Sequence, residues 1–495
     1  MKRRKKSKAI LEEVIVTKQN SPKYHLNGRE IDIWSEEYVY YHSKSPVDYI
    51  RERILECEKQ GRDPFSDVVG KALEKELVKN ALLSGSPILF KGARGYGKTT
   101  FSKAIAKLLP EKLLAIKGCK INDDPTRPTC LACKAKILSG KVELTWVPRI
   151  WVRIPGDPML TTRQLIGGIS IQKIREGYDL DDPEVFIPGR ALKANRGVGY
   201  FDELGAIPTS LQTLLHELFE EHQISTTDGD IVPFKVDAIE IASTNPANYR
   251  GINPIKEPLL DRMEQIEIGP PETLENEIEI GRRNMYIVKV KQQPPNIPIF
   301  HLKILARIVR YARDKQKCEI AKKIETEPSC RATIKLFDHM ISQANRSGRE
   351  VPLLSDYGEA FETVKLALAG RIELAYGVKE SKSTVIEQLA KQAITRTCRE
   401  IYNELPEEEF SALYKEFRKL GRIPIEMQIL SKLRGKPEVD GFINRILKTT
   451  NPNDLEYLSA LEIILHAMSI CLPKAVEKTR EGYIVKELVA NEAKV

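Results

Sequence analysis

Gly92-Ala93-Arg94-Gly95-Tyr96-Gly97-Lys98-Thr99-Thr100 follows directly on the apolar run Pro87-Ile88-Leu89-Phe90. The spacing is G-x-x-x-x-G-K-[ST], and the run before it reads as a buried strand, so the segment predicts strand, phosphate-cradling loop and helix. Gly92, Gly95 and Gly97 allow backbone torsions and close approach that a Cβ forbids, which lets successive N–H groups point at phosphate oxygens. Lys98 brings charge to the outer phosphates. Thr99, followed by Thr100, offers a hydroxyl to magnesium where the positive end of the new helix favours an anion.

Outward from this segment, helix and strand alternate. A helix is expected over Lys71–Leu83, and another runs from the loop through Leu108 to Pro110. Apolar strand candidates follow at Ile150–Ile154, Val198–Phe201, Ala238–Ser243 and Gln265–Ile268. With the strand at 87–90 they make five, and the alternation predicts an α/β domain with a parallel sheet. Proline pairs at Pro270-Pro271 and Pro294-Pro295 punctuate its end. From 301 to about 376 the chain reads as helical, with Leu336, Phe337, Met340, Ile341 and Ala344 on one stripe. After a polar break at Lys379–Ser383 a second stripe, Ile394, Cys398, Ile401 and Tyr402, reads as core. The expected division is therefore an N-terminal extension of open role (1–62), the nucleotide core (63–270), a proline-rich linker (271–300), a helical lid (301–378) and a helical C-terminal region (379–495).

At 495 residues, 41% hydrophobic and 30% charged, the chain has the composition of a soluble protein of about three domains. No apolar stretch approaches the roughly 18 residues needed to span a bilayer, and the start lacks the apolar segment of a secretory signal, so a cytoplasmic protein is expected. The net charge of +9 owes much to Met1-Lys2-Arg3-Arg4-Lys5-Lys6-Ser7-Lys8, read as a solvated tail with nucleic acid or an acidic partner as the alternative.

Phosphate cradling alone fits a kinase, a GTPase or a motor, and the acidic partner discriminates. Asp202-Glu203 ends the apolar strand Gly199-Tyr200-Phe201. An aspartate there can hold a magnesium ligand while the adjacent glutamate deprotonates the attacking water, which points to hydrolysis. Asn245, at the end of the next strand, is placed to hydrogen-bond the γ-phosphate or the lytic water if the two strands are neighbours. Arg262, in Leu259-Leu260-Asp261-Arg262, has no task left in its own site and is a candidate finger for a neighbouring subunit.

The order of these motifs resembles an AAA+ ATPase, and within that group the ATPase subunit of magnesium chelatase and its MoxR-like relatives. Gly92–Thr100 with its internal Arg94 is similar to that family's G-x-R-G-x-G-K-[ST] loop. Ala194-Asn195-Arg196-Gly197-Val198-Gly199-Tyr200-Phe201-Asp202-Glu203 resembles its A-N-R-G-x-x-Y-x-D-E, and Pro64–Gly70 its entry motif. The 104 positions between Lys98 and Asp202 exceed a compact core; the surplus falls in inserts at about 118–141 and 160–192, and the second, Leu160–Leu192, resembles the clade's helix-2 insert. A hairpin at about 223–236 would be the pre-sensor-1 insert. The resemblance implies ATP and Mg2+ as cofactors, Glu203 as general base, Asn245 as sensor, Arg262 as the finger and a homo-oligomer, usually a hexameric ring. It also makes Arg331, in Pro328-Ser329-Cys330-Arg331-Ala332, the second sensor. Two departures stand out. Met263 replaces a common phenylalanine, and no D-x-S-x-S metal-adhesion motif is present, so a von Willebrand-type partner domain would lie on another protein.

Cys119-x10-Cys130-x2-Cys133 offers three thiolates, one short of a closed tetrahedral site, with Asp123 or Asp124 as fourth ligand. Zinc, an iron–sulfur cluster and a loop of reduced thiols stay open. The leading expectation is an ATP-hydrolysing ring motor that remodels a partner protein. The alternatives are the motor subunit of a magnesium or cobalt chelatase, and a nucleic-acid machine, which the acidic stretch Thr226–Asp230 disfavours.

Overall fold

The computed structural model describes residues 14–178, 185–224, 234–245, 254–292, 295–358 and 361–488. The basic tail at 1–8, the acidic stretch at 226–230 and the middle of the 160–192 insert lie outside them. The chain forms two compact units, 1–269 and 270–495.

Among the described residues, the two larger sheets of the first unit are built from nine strands: β1 (Lys23–Leu26), β2 (Arg29–Ile31), β3 (Ile88–Lys91), β4 (Lys112–Ile116), β5 (Lys141–Pro148), β6 (Trp151–Pro155), β7 (Val198–Asp202), β8 (Ile239–Thr244) and β9 (Glu264–Glu267). Five of them form a sheet in the order β9-β3-β8-β7-β6, parallel throughout. Ile88, Leu89, Phe90, Val198, Tyr200, Ile241 and Ala242 are essentially inaccessible, as residues of a parallel sheet covered on both faces must be. The expected α/β core and its five strands are present, each displaced by one residue or less at its start. Helix α1 (Pro46–Lys59) packs on α2 (Ala72–Ser84). Helix α3 (Lys98–Ala106) starts at the lysine of the loop and ends two residues before Leu108.

Sequence reading missed the second sheet, β2-β1-β5-β4. It is built from residues 23–31, within the stretch of open role, and from two strands flanking the cysteines; β1 lies parallel to β5, and β4 antiparallel to it. Its core gathers Tyr24, Leu26, Ile33, Leu114, Cys133, Val142 and Leu144. The aromatic run at 34–41 lies against the same sheet: Tyr41 meets Trp146 edge-on, centroids 5.0 Å apart, and the Lys112 ammonium sits 4.1 Å above the Trp146 ring.

The 160–192 insert contains the antiparallel pair Gly167–Ile169 and Phe186–Pro188, and the hairpin flanks Gln223–Ile224 and Phe234–Lys235 pair antiparallel. Helix α4 (Leu131–Leu138) starts after Cys130 and carries Cys133, α5 (Thr209–Glu221) precedes the hairpin and α6 (Glu257–Asp261) leads to β9.

The second unit is one continuous apolar core around α7 (Leu274–Asn284), α8 (Ile299–Arg313), α9 (Cys330–Arg346), α10 (Lys382–Asn403) and α11 (Asp454–Cys471). Both expected stripes are buried in it. It also carries an unanticipated three-stranded antiparallel sheet from 422–424, 476–479 and 482–485.

Candidate nucleotide site and cysteine cluster

Parallel strands deliver their carboxyl ends to one edge, and the sheet order sets β3, β8 and β7 side by side there. The three motif segments that follow them therefore converge. Gly92 (φ +153°) approaches the Ile268 carbonyl so closely that a Cβ would lie 2.2 Å from its oxygen. Gly97 (φ +100°) is the left-handed residue from which α3 starts. Lys98, the first residue of α3, is 8% exposed, and its ammonium donates to the carbonyls of Gly92 (2.5 Å) and Ala93 (3.0 Å) and to Asn245 Oδ1 (3.2 Å). The sensor position and the loop lysine thus touch, as neighbouring strands required.

Asn245 is buried, and its Nδ2 has no hydrogen-bond partner among the described residues. A buried donor left unsatisfied is costly, and a phosphate oxygen at the lysine would satisfy it.

The acidic pair is held by a hydroxyl network. The Tyr200 hydroxyl lies 3.1 Å from Thr99 Oγ1, 3.0 Å from Asp202 Oδ1 and 3.1 Å from Ser243 Oγ. Ser243 donates to Asp202 Oδ1 (2.9 Å) and accepts from the Glu203 N–H (3.1 Å). Arg153, on β6, grips the other carboxylate oxygen of Asp202 through Nε (2.9 Å) and Nη2. Burial pushes the Asp202 carboxyl up, but hydrogen bonds from Arg153, Ser243 and Tyr200 outweigh it and hold it below the ordinary aspartate range. Tyr200, Ser243 and Arg153 escaped sequence reading as site residues. Tyr200 lies within the motif, and only strand adjacency shows that its hydroxyl joins the loop threonine to the aspartate.

Glu203 takes a left-handed backbone (φ +59°), a costly conformation for a residue with a side chain and one that clusters at functional sites. Its carboxylate pairs with the Arg94 guanidinium (3.1 and 3.2 Å). Arg94 thus occupies one acceptor site on each oxygen of a glutamate that stays partly exposed. Arg262, at the end of α6, is tied within its own chain to Glu220 and to the Pro258 carbonyl. Arg331 lies in the second unit, exposed on the first turn of α9.

The Ala194-Asn195-Arg196-Gly197 run serves a different purpose. Asn195 donates to the Ile121 carbonyl (3.0 Å) and accepts from the Asp237 N–H (3.0 Å). The buried Arg196 donates to the Leu114 and Tyr41 carbonyls and pairs with Asp124 at 3.0 Å. These residues bind the acidic strand to the cysteine-bearing segment. Beside them the sulfurs of Cys119, Cys130 and Cys133 and a carboxylate oxygen of Asp123 lie within 4.8 Å of one another. The Cys130 and Cys133 thiols, hydrogen-bonded to the Cys119 sulfur, hold that group well below the ordinary thiol range.

No protein-family model matches the chain. Among curated proteins it is similar to a magnesium-chelatase subunit ChlI homolog of Methanocaldococcus jannaschii, 33% identical over 149 residues, covering 29% of this chain and 38% of the relative. It is also similar to the magnesium-chelatase 38 kDa subunit of Acidiphilium rubrum, 26% identical over 231 residues, covering 44% of this chain and 62% of the relative. The chain thus spans less than two thirds of either. Among solved structures, the complex of magnesium-chelatase subunits BchI and BchD aligns at 22% identity and a TM-score of 0.34, covering 66% of this chain and 98% of the other. At that score the likeness carries no weight beside the sequence relatives.

Proposed function

We propose that this chain, an AAA+ ATPase of the magnesium-chelatase subunit I and MoxR-like clade, hydrolyses ATP at the edge where β3, β8 and β7 end, as one subunit of a cytoplasmic ring. The observation that carries the reading is the convergence on one sheet edge of the Lys98–Asn245 pair and the hydroxyl network Thr99–Tyr200–Asp202–Ser243–Glu203. Mg2+ bound with the nucleotide would be held by Thr99 and Asp202, hard oxygen donors suited to it, and would neutralise phosphate charge.

The protein's own groups do the rest. Lys98 and the loop amides hold the β- and γ-phosphates. The free Nδ2 of Asn245 donates to the γ-phosphate. Asp202, kept ionised by its partners, fixes Tyr200 and hence Thr99. Glu203, once Arg94 moves to the phosphate charge, accepts the proton of the attacking water. A positioned base of this kind contributes about two to four orders of magnitude.

Glu203→Gln should therefore cut steady-state ATP turnover by roughly a hundredfold or more while leaving nucleotide-induced thermal stabilisation in place. Lys98→Ala should remove that stabilisation. Unchanged turnover in Glu203→Gln would overturn the site.

The work done with this energy is remodelling of a partner protein, with a von Willebrand-type domain protein as candidate. A narrower reading, the motor subunit of a metal chelatase, is favoured by the names of the relatives. Co-purification of a von Willebrand-type protein or of a chelatase large subunit with the Glu203→Gln variant distinguishes the two.

A further inference from the structure

We propose that Cys119, Asp123, Cys130 and Cys133 form a structural zinc site that staples the N-terminal sheet to the strand bearing Asp202 and Glu203. Tetrahedral Zn2+ with bonds of about 2.3 Å sets sulfurs about 3.8 Å apart. Cys119 and Cys130 already stand at 3.9 Å, and the four ligand atoms need only a small inward shift to close on one ion.

The surroundings are those of metal ligands rather than of idle thiols. The Cys119 sulfur accepts backbone N–H groups from Ile121 (3.5 Å) and Asp123 (3.3 Å), which favours a thiolate. Asp123 is fully buried; one oxygen accepts from the Thr129 hydroxyl (2.7 Å) and the other from the Cys130 N–H (2.9 Å). Such outer hydrogen bonds orient a ligating carboxylate and leave it lone pairs for a cation. Helix α4 starts immediately after Cys130, so its positive end faces the anionic ligands.

Of the two aspartates, Asp124 is already committed. It accepts from Ser43, from Thr126 twice and from Arg196. Asp123 is therefore the fourth ligand. Three thiolates select a soft or borderline ion over Mg2+ or Ca2+, and a lone carboxylate among them suits zinc. The purpose lies in what the loop joins: Cys133 packs in the core of the N-terminal sheet, while Cys119 and Cys130 also touch the apolar core around Phe201. Arg196, holding the Asn122 carbonyl and Asp124, lies six positions before Asp202.

The test uses the full chain, purified reduced and without chelator from zinc-supplemented cells, with metal measured by elemental analysis. One zinc per chain is expected, released by a mercurial reagent as the three thiols react. Cobalt exchanged into the site should give thiolate-to-metal charge-transfer absorption. Asp123→Asn should weaken zinc affinity about ten- to a hundredfold and Asp123→Cys should strengthen it. Cys57→Ser, at a buried thiol elsewhere in the unit, should leave the zinc content unchanged. Folded protein with under about a tenth of a zinc per chain, bound iron with visible absorption, or a Cys119–Cys130 disulfide would each overturn the proposal. The Asp123 variants keep the test valid if a cysteine variant fails to fold.

Discussion

The glycine that opens the phosphate loop is constrained twice over. Gly92 needs a φ of +153°, and the Ile268 carbonyl oxygen occupies the space a Cβ would take. The obstacle is backbone of the adjoining β9 segment and cannot swing away like a side chain. Gly92→Ala should therefore displace the loop by distorting the sheet edge: nucleotide affinity should fall at least about tenfold and the melting temperature should drop, since strained left-handed or blocked positions cost on the order of 1–3 kcal/mol. Isothermal titration with ATP and a thermal scan of the nucleotide-free protein measure the two effects. Tyr200 is the complementary case. Its ring stacks near Trp151, centroids 5.9 Å apart, so Tyr200→Phe keeps the packing and removes only the hydroxyl between Thr99 and Asp202. Turnover should fall while the melting temperature of the nucleotide-free protein stays within about 2–4 °C, the shift that a 1 kcal/mol change gives in a domain of this size.

Helix packing in the second unit depends on similarly tight approach. Gly281 of α7 faces the Phe337 ring of α9, with a Cβ there only 2.3 Å from the ring edge. Gly281→Ala should destabilise by about 1–3 kcal/mol through overpacking, read as a lower denaturant midpoint, and Phe337→Leu in the same chain should recover part of it. His301 joins α8 to α11 and to Tyr357. The Ser459 hydroxyl donates to the Pro352 carbonyl (2.8 Å), so it accepts from Nε2–H (2.7 Å) and leaves Nδ1 to accept from Tyr357 (2.6 Å). Burial lowers this imidazole to about 3 and raises the nearby Glu462 carboxyl to about 7. The unfolded chain protonates His301 first, so its contribution is present above pH 6.5 and lost as pH falls toward 3. Glu462 acts oppositely, stabilising at low pH and losing that contribution between 4.5 and 7. The two slopes oppose each other between pH 4.5 and 6.5. Glu462→Gln should expose the histidine loss, up to about 1.4 kcal/mol per pH unit, and adding His301→Gln should flatten it in urea titrations. At this scale the sequence was legible where apolar residues ran together: all five core strands declared themselves as short apolar runs and both helical stripes by period. The second sheet was legible in part, since Val142 and Leu144 alternate with the exposed Lys141 and Glu143. But β1 is four residues long and lies more than a hundred positions from its partner, and no local signal encodes such a pairing. For the same reason Tyr200, Ser243 and Arg153 became site residues only once β6, β7 and β8 were known to be adjacent.

At the scale of the whole molecule, Arg262 decides whether one chain is a complete catalyst. Its guanidinium is bound to Glu220 of α5 and to the Pro258 carbonyl of α6, and the contacts of Lys98 with Asn245 and of Asp202 with Tyr200 and Ser243 form without it. If the loop binds phosphates as proposed, an arginine left over after the last core helix fits a catalyst whose charge neutralisation at the transition state comes from a neighbour, a contribution worth about three to five orders of magnitude. The Glu220 pair is exposed and so weak enough to exchange for a phosphate across a subunit boundary. If Arg262 acts in this way, Arg262→Ala and Glu203→Gln chains should each be inactive alone for different reasons, one lacking the finger and the other the base. Mixed one to one, about a quarter of interfaces should pair an intact base with an intact finger, and turnover should return to that fraction of the wild-type rate if subunits fire independently in a closed ring. The assay is steady-state ATP hydrolysis of mixtures refolded or exchanged together, with each variant at the same total concentration as control. Recovery places the arginine in its neighbour's site. Mixtures no more active than their components, from chains that still assemble by light scattering, would confine Arg262 to its ion pair with Glu220.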